Sequence, residues 1–203
     1  MCGRFVLVSN IGQISEEFNL TGFDEFTLSR GDMLPGKKCA CAIAEENKNL
    51  LLNMHWGFPP RWPTKKTAKL LINARAETLS EKPTFKESFQ RRRCIIPADG
   101  FYEWSKDKKQ FCFYLRNHCA FGLAGIYKEN NSSDGKETSF VIITTAPNKL
   151  IEQVHDRMPV IIPAGKQSLW LDNTRFDKSQ LSSLFVPYPE EKMEMRPGKY
   201  QLQ

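Results

Sequence analysis

The sequence predicts an α+β fold that is mostly β, one domain spanning residues 1–203 with a β core and short peripheral helices. Three observations predict it. Apolar residues come in runs too short for helices and rich in β-formers. Clusters of turn-forming residues separate those runs. Helical spacing with a capping signal is confined to a few short stretches. No internal repeat and no shift of composition marks a domain boundary, and 203 residues suffice for one domain with a sizeable core.

Taken along the chain, residues 5–8 form the first apolar run. Asn10 with Gln13 three later resembles a capping box, opening a helix that carries Ile14 and Phe18. Cys39 and Cys41 would point the same way in a strand. Further strand candidates are 50–56 and 70–72. If the latter continues, Asn73 and Arg75 share one face. Phe85 and Phe89 are four apart, as on one helical face. Residues 94–97 are followed by Asp99-Gly100, a tight-turn signal, after which alternation puts Phe101 and Glu103 on one side. A polar hairpin turn at 106–110 precedes 111–115, where Phe111, Phe113 and Leu115 alternate with Cys112, Tyr114 and Arg116 in a half-buried pattern. Residues 121–126 and 140–145 flank a polar loop at 130–135. Pro147 is placed to start a helix carrying Leu150, Ile151 and Val154, and 159–162 forms the last apolar run. Asp177 with Gln180 caps a helix ending near Leu184. Pro187, Pro189 and Pro197 make the remaining tail irregular.

The formal charge is +6, and its distribution is uneven. Residues 61–116 hold 14 Lys and Arg against 6 Asp and Glu, so this stretch carries the entire excess. Trp56, Phe58, Trp62, Phe101, Tyr102 and Trp104 lie within or beside it. Cations for phosphate with aromatic faces for bases is the composition of a single-strand nucleic-acid surface. A solvated basic face over core aromatics would read the same way. No apolar stretch approaches the ~18 residues of a membrane span. No basic-then-apolar start marks a secretory signal. A cytoplasmic protein is expected, nucleoid-associated if the host is a bacterium. The six cysteines, Cys2, Cys39, Cys41, Cys94, Cys112 and Cys119, lack the paired spacing of a zinc site. They read as reduced thiols, mostly buried, with no metal and no cofactor expected.

Four segments concentrate chemistry. Removal of Met1 before a small second residue would leave Cys2 with an α-amine and a thiol on one carbon frame, of ordinary pKa about 8 and about 8.5. Such a pair can condense with an aldehyde and close to a thiazolidine, or take up an acyl group as a thioester. Arg4 stands two residues away and could grip a phosphate. Asn73 and Arg75 could together hold an N-terminus and a phosphate, or Arg75 could pair with a carboxylate while Asn73 closes a turn. Glu103 among aromatics could have a raised pKa and pass a proton, or be a surface glutamate paired with a lysine. His155 is the only one of three histidines in a run with both an acid and an arginine, Asp156 and Arg157.

Together these segments resemble the SRAP (SOS-response-associated peptidase) family. The matching pieces are Met1-Cys2-Gly3-Arg4-Phe5, Trp56-Gly57-Phe58-Pro59, Asn73-Ala74-Arg75-Ala76-Glu77-Thr78, residues 93–104 from Arg93 to Trp104, and His155-Asp156-Arg157-Met158-Pro159. They fall in the family's order, strongest over 1–162 and weak after about 172. The resemblance implies a barrel-like β core crossed by a basic groove. It implies a monomeric sensor and shield of abasic sites in single-stranded DNA, also where single strand meets duplex, acting through a covalent thiazolidine. It implies Cys2 as nucleophile, Glu103 as the proton shuttle that opens the sugar, His155 as a second proton-handling group and Asn73 as the residue positioning Cys2. Arg4, Arg75 and Arg157 are implied as phosphate contacts, with Trp62 and Trp104 as stacking or wedge residues. Asp32 stands where the family usually has asparagine, and it would oppose DNA unless Arg30 pairs with it. Two other functions remain open: non-covalent binding of single-stranded DNA with Cys2 incidental, and a peptidase using Cys2 as an N-terminal nucleophile.

Overall fold

A computed structural model describes residues 2–21, 26–46, 48–60, 69–132 and 135–201. Their strands are β1 (Phe5–Leu7), β2 (Gly31–Met33), β3 (Lys38–Glu45), β4 (Lys48–Trp56), β5 (Asn73–Arg75), β6 (Arg93–Ala98), β7 (Gly100–Trp104), β8 (Gln110–Leu115), β9 (Phe121–Ser132), β10 (Gly135–Thr145), β11 (Met158–Pro159), β12 (Ile161–Ile162) and β13 (Met193–Pro197). The α-helices are short: α1 (Ile11–Phe18), α2 (Pro83–Arg91), α3 (Lys149–Glu152), α4 (Gln167–Leu171) and α5 (Lys178–Ser182).

Five strands close into a barrel. The β3–β4 hairpin runs from Lys38↔His55 to Glu45↔Lys48. Strand β4 then pairs in parallel with β10 at Ser139↔His55 and Phe140↔Trp56. Antiparallel β10–β9 and β9–β6 ladders follow, and Ala42↔Ile95 joins β6 back to β3. Closure removes the unpaired edges that an open sheet would present. A second, antiparallel sheet, ordered β13-β8-β7-β1-β2, lies beside it. The chain passes from barrel to second sheet between β6 and β7, at Asp99. The tight-turn signal at Asp99-Gly100 therefore marks a crossing between sheets. Buried Asp99 accepts from the Val8 and Ser9 amides at 2.6 and 2.9 Å and from Ser9 Oγ at 2.5 Å, tying off the end of β1.

The core runs from Phe5 and Phe101 in the second sheet to Trp56, Ile95, Leu123 and Phe140 in the barrel. Trp56 lies 5.2 Å from Phe5 and 6.2 Å from Phe140, ring to ring. Truncating such a ring to alanine costs about 3–5 kcal/mol. The capping box at Asn10 and Gln13 opens α1 as expected, with bonds of 3.0 and 2.8 Å. Asp177 likewise caps α5 through the Gln180 amide. Phe85 and Phe89 are both buried on α2.

Several elements differ from expectation. Residues 70–72 form no strand; Leu71 makes one bridge to Phe58, and the strand is 73–75, where β10 offers a partner. Leu70 instead covers Gly57, whose φ of 121° and 2.8 Å clearance to Leu70 Cβ leave no room for a side chain. Strand β3 escaped the apolar runs because small Ala and Cys residues, buried on both faces, carry it. The polar loop at 130–135 is shorter than read, since β9 runs to Ser132 and β10 starts at Gly135. Asn148, not Pro147, caps α3, accepting from the Ile151 amide at 3.0 Å. The 111–115 alternation is not half-exposed. Phe113 enters the main core, while Cys112 and Tyr114 join Val6 and Tyr102 in a second cluster covered by Tyr200. Residues 193–197 are not irregular, because β8 gives them a five-residue ladder.

Candidate active site

Strand β1 lies between β2 and β7 in the second sheet, which fixes where Cys2 sits. Cys2 is buried, and its Sγ lies 4.0 Å from the Arg4 carbonyl. Burial pushes its thiol far above the usual range, and the nearby charge of Glu103 adds to the rise. Asn73 projects from β5, which is held by parallel pairing to β10. Its Nδ2 donates to the Cys2 carbonyl at 2.9 Å, joining residues 71 apart in the chain. Asn73 Oδ1 is buried with no hydrogen-bond partner among the described residues.

Glu103 is only 2% exposed on β7. Desolvation by burial raises its carboxyl to about 7, and the Asp156 charge adds to the effect. It is thus no lysine-paired surface glutamate. At neutral pH it is divided between acid and base, the condition for moving protons in both directions. Its Oε2 lies 3.8 Å from His155 Nε2. Burial lowers the His155 pKa below its ordinary value, favouring the neutral ring. The far side of that ring is anchored, with Nδ1 accepting from the Arg157 amide at 3.0 Å.

The three arginines differ in their engagements. Arg157 Nη1 and Nη2 donate to the two oxygens of Glu77 at 2.6 and 2.9 Å, and Nη2 also reaches the Thr144 carbonyl at 2.5 Å. That fork engages Glu77, whose side chain is half exposed, and Thr144 of β10. Arg75 is exposed, two residues from Asn73 with Ala74 buried between. The guanidinium of Arg4 lies 5.3 Å from the Trp104 ring centroid. Its Nη1 is 3.9 Å from Asp32 Oδ2. Arg30 does not pair with Asp32; it donates to the Val8 carbonyl. Trp62 lies outside the described residues.

Sequence reasoning missed three participants. Glu77 shows no role among its neighbours in the chain, because its partner is 80 residues away. Tyr102 was counted only as an aromatic, yet its hydroxyl donates to Asp32 at 3.0 Å. The sequence around Asp99 signals only a turn, whereas its carboxylate ties off β1. Arg93, counted in the basic excess, is fully buried and donates to the carbonyls of Phe89, Gln90, Trp170, Asp172 and Arg175. Five of the six free cysteines are buried and Cys119 is exposed.

A closed β barrel flanked by a second sheet, with a buried second-position cysteine near a buried carboxyl that faces a half-buried imidazole, defines the class. The SOS response associated peptidase (SRAP) family model matches residues 1–202, and the chain belongs to that family. It is 40% identical over 206 residues to the abasic site processing protein YoqW of Bacillus subtilis, covering 96% of this chain and 90% of that one. It is 38% identical over 206 residues to YobE of the same organism, also named an abasic site processing protein, covering 96% and 92%. A crystal structure of a Bordetella bronchiseptica protein shares the fold at TM-score 0.82 and 22% identity, covering 98% of this chain and all of that one.

Proposed function

We propose that this protein senses and shields abasic sites in single-stranded DNA, including sites at single-strand–duplex junctions, by joining them covalently to Cys2 after Met1 is removed. It acts as a monomer in the DNA damage response. The observation that carries the reading is the Asn73–Cys2 bond, supported by the nearby charge of Glu103 acting on the Cys2 thiol and by half-buried His155 lying 3.8 Å from Glu103. The relatives' name, abasic site processing protein, supports it.

The chemistry follows from the groups present. An abasic sugar rests mostly as a closed hemiacetal. Glu103, near its midpoint at neutral pH, takes a proton from the anomeric hydroxyl and returns one to the ring oxygen, freeing the aldehyde. The neutral Cys2 amine adds to the aldehyde carbon. The resulting hydroxyl leaves as water, protonated by the carboxyl, and a C=N bond forms. The thiol then adds to that carbon, its proton passes to the nitrogen, and a five-membered thiazolidine results, with one water lost overall. The high thiol pKa sets this order, because the sulfur stays protonated until the electrophile is tethered beside it. His155, neutral and anchored through Nδ1, serves as the second proton-handling group. The ring occupies the electrophile and suppresses β-elimination of the strand. Arg4 and Arg75 contact phosphates, Trp104 offers a stacking face, and Arg157 keeps the His155 loop in place.

The test is a denaturing gel of processed protein with single-stranded DNA containing one abasic site, beside Cys2→Ala and lesion-free DNA. The expected result is a shifted band requiring both Cys2 and the lesion, with an intact mass equal to protein plus DNA less one water. A band that persists in C2A, or none from wild type with Met1 shown absent, would overturn the reading. Salt-sensitive binding alone would then point to a non-covalent DNA binder, and cleavage of a peptide to a cysteine peptidase.

A further inference from the structure

We propose that Asp32 is a specificity-determining residue that weakens the hold of this protein on undamaged DNA. The inference rests on the reading of Arg4 as a phosphate contact. Asp32 lies on β2 directly opposite Val6 of β1, two residues along from Arg4. Its two oxygens have separate partners. Oδ1 accepts from the Tyr102 hydroxyl at 3.0 Å, and Oδ2 faces Arg4 Nη1 at 3.9 Å. The Tyr102 oxygen in turn accepts from the Tyr200 amide at 3.1 Å, so the chain's C-terminal segment anchors the hydroxyl that anchors the carboxylate. Held on that side, Asp32 does not swing away when an anion approaches. The Arg4 guanidinium meets Trp104 at 5.3 Å and the Asp32 carboxylate, and both ion-pair partners keep about a third of their side chains in solvent, 28% and 31%.

A phosphate reaching Arg4 therefore meets a fixed negative charge beside the positive one. The 3.9 Å separation is too long for a hydrogen bond, so Asp32 acts on Arg4 chiefly through its field. Asp32 also belongs to the Tyr102 side of β7. Glu103, next along the strand, points the opposite way into the core. Its cost falls on phosphate contact, which every DNA offers, more than on proton transfer, which only the lesion uses. Lowering the lesion-independent grip raises the ratio of abasic to intact DNA retained by the protein.

The experiment measures fluorescence anisotropy with an intact single-stranded oligonucleotide over a salt series, for wild type, Asp32→Asn, Arg4→Ala and the double variant. Thermal melting checks folding, and D32S substitutes if D32N melts early. The expected result is tighter binding by D32N, about fivefold at low salt, with a salt slope steeper by about one counterion. The gain should vanish in the R4A background. Weaker or unchanged binding by D32N, while R4A weakens binding, would overturn the role of Asp32 and leave the phosphate contact standing. An equal gain with and without Arg4 would reduce it to a change in net charge. No effect of R4A would remove the phosphate contact and the inference together.

Discussion

The two faces of β7 differ in kind. Phe101 and Glu103 point into the main core, where Glu103 is nearly sealed from water. Tyr102 and Trp104 point to a smaller cluster with Val6, Cys112 and Tyr114, beside the half-exposed Arg4 and Asp32. On the inner face desolvation dominates, and a carboxyl is carried to about 7. On the outer face water and salt screen the charges, and what remains is attraction of a few solvated groups. Perturbing the inner face should change the chemistry and its pH dependence. Perturbing the outer face should change affinity and its salt dependence.

The largest expected effect tests the inner face. Glu103→Gln should slow crosslinking by about a hundredfold or more, with little change in affinity for intact single strands. A near-normal rate would break the division. The same variant should stabilise the fold at alkaline pH. A carboxyl raised to about 7 when folded, against about 4.3 unfolded, costs nothing below the lower value. Its cost grows through that window and is complete above about 7. At pH 8 the gain from E103Q is at most about 4 kcal/mol, and at pH 4 it should disappear; thermal melts at the two values read the difference.

Next in size, Asn73→Ala removes the 2.9 Å bond to the Cys2 carbonyl. Single-turnover crosslinking should slow about tenfold, as expected for a positioning group, with the salt slope of binding unchanged. Arg4→Ala should leave the rate with bound lesion DNA closer to normal but reduce the salt slope by about one. If R4A and N73A affected rate and slope alike, the two faces would not be separate. The smallest effect belongs to Glu77→Ala. It frees Arg157 and loosens the His155 loop, lowering the rate about two- to threefold. Arg157 holds the Glu77 carboxyl below its ordinary value, so this pair stabilises above about pH 4 and is lost as pH falls through the depressed pKa. Acid melts of E77A should accordingly lose less than wild type.

The sequence carried β-rich runs, caps and the motifs that meet at Cys2, because local patterns of period two and N-cap chemistry act within a few residues. Asn73 and His155 were nameable from their neighbours in the chain. Their contacts were not, since a 71-residue separation is set by β5 docking on β10, and nothing local encodes that pairing. Strand β13 was hidden by its proline and charges, and only β8 reveals it as an edge strand. The basic excess also overstated the surface charge. Arg93 spends its guanidinium on five backbone carbonyls around α2 and α4, a structural use that a count of charges cannot distinguish from a phosphate contact.

The placement of β1 has a mechanical side. On the proposed chemistry DNA is tethered at one end of a strand whose residues pair on one side from Phe5↔Met33 to Leu7↔Gly31 and on the other at Phe5↔Phe101 and Val6↔Gly100. Tension drawn along that axis loads both ladders lengthwise, so their hydrogen bonds share the force instead of opening one after another. Asp99, clasping Val8 and Ser9, stands as the anchor at the far end. A replication or repair machine pulling on the bound strand would meet a splice between two sheets rather than a loose chain end.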